Sequence, residues 1–445
     1  MRARSILIGL GASVALLLSA CKTSNADDAP PRPHPSAKDL AQALNTAYRP
    51  SPSSHLECLG RLVFNVDGLM TWALSANTRQ DHKGNVPVLS WEIRSGDEAL
   101  DYGGNRDLTI LIYPGATREQ MEEEYQEKAD AHIGVAKKLA EQIELEERLA
   151  VKAKERARTN PDPRLTPEDY RHAAAVRAED IASLKRRLAD AQKGSDVMDF
   201  GLPDRKGLGG KRSFLGFIWS DGVYYRFAMI NDSRDTRSDA ERKAWFIDVM
   251  KRFRPRKLYE VPKERGVCVP YGFFPDNGTV PFHTVAGFRY NDRPNVLYVI
   301  NTQVVGQAPV DNTLFIATSR ASVGLLAGFA NEEVAKLIKQ RIGPRRAHIG
   351  ELAAEQGGAV VRLTDGDRQF DNYSVYTGYM GWMDSHILPF VAVDMRSFTQ
   401  AETAQSPIEK LKTDPPPFEE SKARLDALLK SVRLRPTDPP MLAQP

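Results

Sequence analysis

The chain has 445 residues, and 61 Lys and Arg against 58 Asp and Glu leave a formal net charge of +3. With 41% hydrophobic and 27% charged residues it is neither collagen-like, mostly disordered nor a multi-span membrane protein. Three cysteines are too few for a disulfide-dense scaffold, a zinc ribbon or an iron–sulfur protein, and the near balance of charge argues against nucleic acid as a partner.

The N-terminus reads as an address. Arg2 and Arg4 precede an apolar run from Ile6 to Leu18 that is too short to span a bilayer comfortably. Leu18-Ser19-Ala20-Cys21 follows and resembles the lipobox of bacterial lipoproteins. That resemblance implies a signal peptide over residues 1–20, lost on processing, and a lipid on Cys21. The alternative is an ordinary signal peptide followed by a chance cysteine. Position 22 is Lys rather than Asp, which by the same resemblance implies an anchor in the outer membrane, facing the periplasm. Residues 21–54 are rich in Pro, Ser, Asp and Ala, a composition that predicts a flexible tether. Cys58 and Cys268 remain. An oxidising compartment permits a disulfide between them, closing a very long loop; two separately buried thiols are the other reading.

The body of the chain repeats itself. Lys243 to Arg254 and Lys422 to Arg433 align without a gap. Phe246, Val249, Met250 and Phe253 in one, and Leu425, Leu428, Leu429 and Val432 in the other, recur at helical spacing. Both segments end in basic residues, and Pro255 or Pro436 follows. Before the first helix, Gly216–Trp219 and Tyr224–Met229 flank Ser220-Asp221-Gly222, a hairpin signal. Before the second, Gly378–Met380 with Trp382 and then Ile387–Val393 read the same way. Leu108–Tyr113 and Leu314–Thr318 supply a middle strand to each half. The predicted fold is α+β: two related modules, 55–258 and 263–436, each an antiparallel sheet with a closing helix, then a tail over 437–445.

The first module carries a helical hairpin inserted at 117–193. Thr117 to Arg158 contains no Pro and begins with Glu119, Glu122, Glu123 and Glu124. It ends with Lys152, Lys154, Arg156 and Arg158, as the helix dipole favours. After a break at Thr159–Pro163, Thr166 is placed to cap a second helix that starts at Pro167 and runs to about Lys193. Tyr170, Ala174, Ile181, Leu184 and Leu188 form a stripe that Val135, Leu139, Ile143, Leu145 and Leu149 could face. The hairpin either packs along its own domain or forms an arm that touches a partner.

Sequence patterns for chemistry are lacking. There is no Gly-x-Ser-x-Gly, no His pair one turn apart beside a Glu, and no Cys-x-x-Cys. Lys206–Ser213 has the glycines of a phosphate loop but carries Arg at 205 and at 212, so it reads as a flexible basic loop. Phe273-Phe274-Pro275-Asp276-Asn277-Gly278 reads as a turn whose aromatics could be interface anchors. No catalytic or metal-ligating residue, cofactor or small-molecule substrate is assigned, and the residues that would bind a partner are not identified.

Cys58-Leu59-Gly60-Arg61 resembles the start of the N-terminal domain of immunity proteins against type VI secretion phospholipases of the fourth class. Val267-Cys268-Val269-Pro270-Tyr271-Gly272-Phe273 resembles the start of their C-terminal domain, so the likeness covers about residues 55–436. It implies a non-enzymatic periplasmic protein, anchored by its lipid, whose two domains grip a cognate lipase effector like a clamp and block substrate entry or lid opening. The rival expectation is an envelope scaffold lipoprotein without a toxin partner.

Overall fold

The computed structural model describes residues 35–73, 100–102, 108–159, 162, 164–193, 196–210, 213–230, 235–305, 337–365, 368–400 and 411–441. Residues 1–34 with Cys21, and the strand expected at Leu314–Thr318, lie outside the described residues. No described helix is long and apolar enough to cross a membrane.

Helix α1 (Ala37–Leu44) opens the fold. The Ser36 hydroxyl accepts from the Asp39 N–H at 3.3 Å and the Asp39 carboxylate accepts from the Ser36 N–H at 2.8 Å, a capping box. This corrects the tether expected through residue 54. Apolar residues are few here, but Leu40, Ala43 and Leu44 share one face and pack around Leu352, Leu388 and Leu434. Asn45, left-handed at φ 43°, ends the helix and donates to the carbonyl of Lys430 at 3.0 Å.

The first half continues with β1 (Ser54–Leu59), β2 (Leu62–Asp67), β3 (Met70–Trp72), β4 (Leu100–Tyr102) and β5 (Leu108–Pro114). The inserted helices α2 (Arg118–Thr159) and α3 (Pro167–Lys193) follow, then β6 (Asp196–Met198), β7 (Arg205–Gly209), β8 (Ser213–Ser220), β9 (Val223–Ile230), α4 (Asp239–Arg252) and β10 (Arg254–Pro255). The second half holds β11 (Gly266–Val269), β12 (Gly272–Pro275), β13 (Phe282–Tyr290), β14 (Arg293–Gln303), β15 (Ile338–Ile349), β16 (Leu352–Asp365), β17 (Arg368–Tyr379) and β18 (Phe390–Ser397). It closes with α5 (Phe418–Ser431) and β19 (Arg433–Leu434).

The α+β class stands, and both closing helices bury the stripes read from sequence: Phe246, Val249, Met250 and Phe253, and Leu425, Leu428, Leu429 and Val432. The β8–β9 hairpin turns on Asp221 (φ 48°) and Gly222 (φ 78°), the left-handed pair a two-residue turn needs. Lys206–Gly209 is part of strand β7 rather than loop. Gly207 makes this possible, because a Cβ there would lie 2.5 Å from the Phe200 ring.

Two separate module sheets are not what forms. The strands join one thirteen-stranded sheet, ordered β15-β16-β17-β18-β14-β13-β4-β5-β9-β8-β7-β6, with β3 also on β13. Strand β13 pairs with β14 of its own half and with β3 and β4 of the other. It is buried along nearly its whole length, so both of its sides need neighbours. Around it Phe64, Trp72, Tyr290 and Tyr298 contact Phe288 with ring centroids 5.5–6.1 Å apart.

The halves also exchange their last strands. β10, which follows α4 of the first half, pairs with β12 of the second. β19, which follows α5 of the second half, pairs with β2 of the first. The opening hairpins β1–β2 and β11–β12 meet where Gly60 and Cys268 exchange two backbone hydrogen bonds of 2.8 Å. Gly60 is left-handed at φ 59°, and a Cβ there would sit 2.6 Å from Thr302.

A locked centre and a projecting arm as candidate functional site

The repeat continues past the closing helices into two buried arginines, Arg256 and Arg435, each two residues beyond the start of its exchanged strand. The Arg256 N–H donates to the Tyr271 carbonyl at 2.8 Å and the Arg435 N–H to the Arg61 carbonyl at 2.9 Å. Each thus ties its strand to the turn of the other half's hairpin. The Arg256 guanidinium lies 2.6 Å from the Glu57 carboxylate and reaches the carbonyls of Cys58 and Val269 at 3.1 Å. Glu57 is fully buried and also accepts from the N–H groups of Cys58 and Tyr259. Arg435 reaches the carbonyls of Pro262, Glu264 and Gly266 at 2.5–2.7 Å. Burial, and then the neighbouring Arg61 charge, push its guanidinium down to about 10.

Between them Arg61 grips Asp276 in a two-bond fork at 3.0 and 3.1 Å and donates to the Val280 carbonyl at 2.9 Å. Asp276 also accepts from the Gly278 N–H at 2.6 Å, so the Asp-Asn-Gly turn exists to present this carboxylate. Phe273 and Phe274 beside it are buried core residues rather than exposed anchors. Cys58 and Cys268 form a disulfide with Cα atoms 5.8 Å apart. Among the described residues no three His, Cys, Asp or Glu side chains converge as metal ligands. Apart from Arg61 Nε and Arg435 Nε, the donors and carboxylates of this centre are turned on one another and on backbone; such an arrangement fixes the relative placement of the halves. Sequence reading missed Arg256 and Arg435 because the aligned repeat was stopped at Arg254 and Arg433; two more columns would have paired them.

His386 borders this centre. Burial, and then the Arg61 charge, lower its pKa, while Asp276 and Asp384 oppose the shift. The unfolded chain therefore binds the His386 proton more readily than the folded one. Its contribution to stability is intact above the ordinary histidine value and is lost as pH falls below it. His386→Gln should flatten the dependence of melting temperature on pH between about 5 and 7; an unchanged slope would assign that dependence to other groups.

The second feature is the arm. Its 42-residue helix α2 is about 63 Å long at 1.5 Å per residue. Met121, Tyr125 and Ala129 root it against Phe217, Tyr113 and Tyr224. Glu122 pairs with Lys206, and Glu124 with Arg226 and the Tyr224 hydroxyl. Trp219 donates to the Ala116 carbonyl at 2.9 Å, beside a cleft of about 230 Å³ lined by Arg118, Met121 and Asp221. Farther out, Leu139 and Ile143 pack on Leu184, with Ile181 and Leu188 around them. The buried α2 stripe steps on through Ala150 and Ala153 at heptad spacing. Val135 and Leu145 fall off that stripe and are 52% and 46% exposed, against the expectation that they face α3. Thr166 caps α3 as its sequence predicts, accepting from the Asp169 N–H at 3.2 Å. Arg177–Glu146 and Lys185–Glu147 bridges link the two helices. The arm's interior is thus supplied by its own two helices once it leaves the sheet.

Residues 260–437 match the family described as Tle cognate immunity protein 4 C-terminal domain. No curated protein matches the chain. Among solved structures the chain is similar to a chain of the Tle4–Tli4 complex, at 12% identity and a TM-score of 0.43, over 87% of this chain and 100% of that one. It is likewise similar to immunity protein TplEi of T6SS from Pseudomonas aeruginosa in complex with "L" peptide, at 12% identity and a TM-score of 0.42, over 87% and 100% of the two chains. The apo structure of TplEi gives 12%, 0.41, 86% and 98%.

Proposed function

From the match of residues 260–437 to the Tle cognate immunity protein 4 C-terminal domain, we propose that the chain binds and neutralises a type VI lipase effector without itself being an enzyme. It acts in the periplasm, held by a lipid on Cys21 to the outer membrane, and covers the lipase so that substrate cannot enter. The family match carries this reading. The locked centre supports it: a surface whose parts are fixed before binding loses little conformational freedom on binding. The grip implied by a two-domain clamp is then a rigid one, since one sheet and two exchanged strands run through both halves. An oxidising compartment suits the Cys58–Cys268 bond.

The test is affinity capture from the producing strain with the soluble form, residues 22–445, followed by mass spectrometry and titration of the captured lipase. A lipase in one-to-one ratio is expected, its activity falling to background at one equivalent. Full lipase activity in excess protein would sink the proposal. Recovery of porins or peptidoglycan fragments alone would favour the envelope scaffold.

A further inference from the structure

Among the described residues strand β15 ends the thirteen-stranded sheet, and its C-terminal end faces α5 across a cleft of about 320 Å³. Arg345, Arg346 and His348 line it from the strand, Lys430 and Asp426 from the helix. Arg345 is held in place: its Nε and Nη2 both donate to Gln356 Oε1, at 3.1 and 2.6 Å, and Gln356 Nε2 donates to Thr377 Oγ1 at 2.9 Å. Gln356 is 3% exposed and Thr377 fully buried. The guanidinium is therefore oriented by a buried neutral chain that leaves its charge uncompensated. Asp426, the carboxylate in the lining, is paired with Lys422. Among the described residues neither Arg345, Arg346 nor Lys430 has a carboxylate within ion-pair distance. One oriented guanidinium, with the exposed cations Arg346 and Lys430 beside it around a small opening, calls for anionic side chains on an extended backbone.

We propose that this cleft docks an acidic extended segment of the protein partner, its carboxylates taken by Arg345, Arg346 and Lys430. The proposal rests on the immunity reading for the identity of that partner, the lipase effector. It gives the binding surface a place distinct from the arm and adds a long-range attraction that speeds encounter at low salt.

The experiment uses residues 22–445, wild type and R345Q/R346Q, with K251Q/K257Q on and beside α4 as the charge-matched control. The first probe is a fluorescein-labelled peptide of alternating Glu and Val, followed by polarisation. The second is the captured lipase, followed by inhibition. Each charged hydrogen bond removed should weaken binding by roughly 10-fold or more, so R345Q/R346Q should bind both probes at least about 10-fold more weakly, while the control matches wild type. Melting curves check folding, and K430Q alone, with a smaller loss in the same direction, stands in if the double variant is unstable. Equal binding of the peptide by wild type and R345Q/R346Q overturns the proposal. So does loss of binding to phosphatidylglycerol vesicles with lipase inhibition kept, which would assign the cleft to lipid. A wild-type protein that binds the peptide through these arginines but leaves the lipase fully active would instead sink the immunity reading, and with it the named occupant.

Discussion

Arg256→Met should cost the protein roughly 3–5 kcal/mol of stability, the range seen when one partner of a buried ion pair is removed. The Glu57 carboxylate stays behind with no water to reach it, since it is fully buried. Two backbone N–H groups still serve it, from Cys58 at 2.8 Å and Tyr259 at 2.9 Å, but its counter-charge is gone. The carbonyls of Cys58, Val269 and Gly272 lose a donor at the same time. Arg435→Met should cost less, because its guanidinium is held by three carbonyls and leaves no orphan charge. Adding Glu57→Gln to Arg256→Met should recover part of the loss, by removing the charge while keeping one of the two acceptor oxygens. Urea unfolding of the three variants decides this; equal midpoints for Arg256→Met and Arg435→Met would show that the ion pair contributes nothing beyond its hydrogen bonds.

Removing the disulfide should have an effect of similar size. Cys58 and Cys268 are 210 residues apart in sequence, and the entropy of closing so long a loop corresponds to roughly 5 kcal/mol. The bond also sits where the two opening hairpins meet, beside the Gly60–Cys268 backbone pair. Cys58→Ala/Cys268→Ala keeps the site apolar among Val63 and Phe273 and so isolates the covalent link. Unfolding by guanidinium should then show a lower midpoint with a larger exposed surface, since the unfolded chain is no longer held in a loop. A midpoint unchanged from wild type would mean that the exchanged strands alone hold the halves.

Periodicity made the local elements legible. The helical stripes ending at Phe253 and Val432, the Asp221-Gly222 turn and the Thr166 cap are each written within a few residues. What joins the elements was not, because a side-chain pattern says which face of a strand is buried and not which strand lies beside it. β10 and β19 pair over two residues each, too few for any pattern to name a partner. Averaged composition hid α1, although its Ser36-x-x-Asp39 capping box is a sequence signal. Val135 and Leu145 were misassigned because hydrophobicity alone does not fix the phase of a helix stripe along a long charged helix. Buried arginines are the hardest to foresee, since Arg is almost always a surface residue unless paired, and the partners here lie on distant segments.

The exchanged strands impose an order in time. β2 is complete at Asp67, but the strand that covers its edge, Arg433–Leu434, is made only after α5. Until that moment the N-terminal sheet offers bare N–H and C=O groups, an invitation to wrong pairings in a crowded cell. The fold therefore cannot shut until the residues that follow α5 have been made.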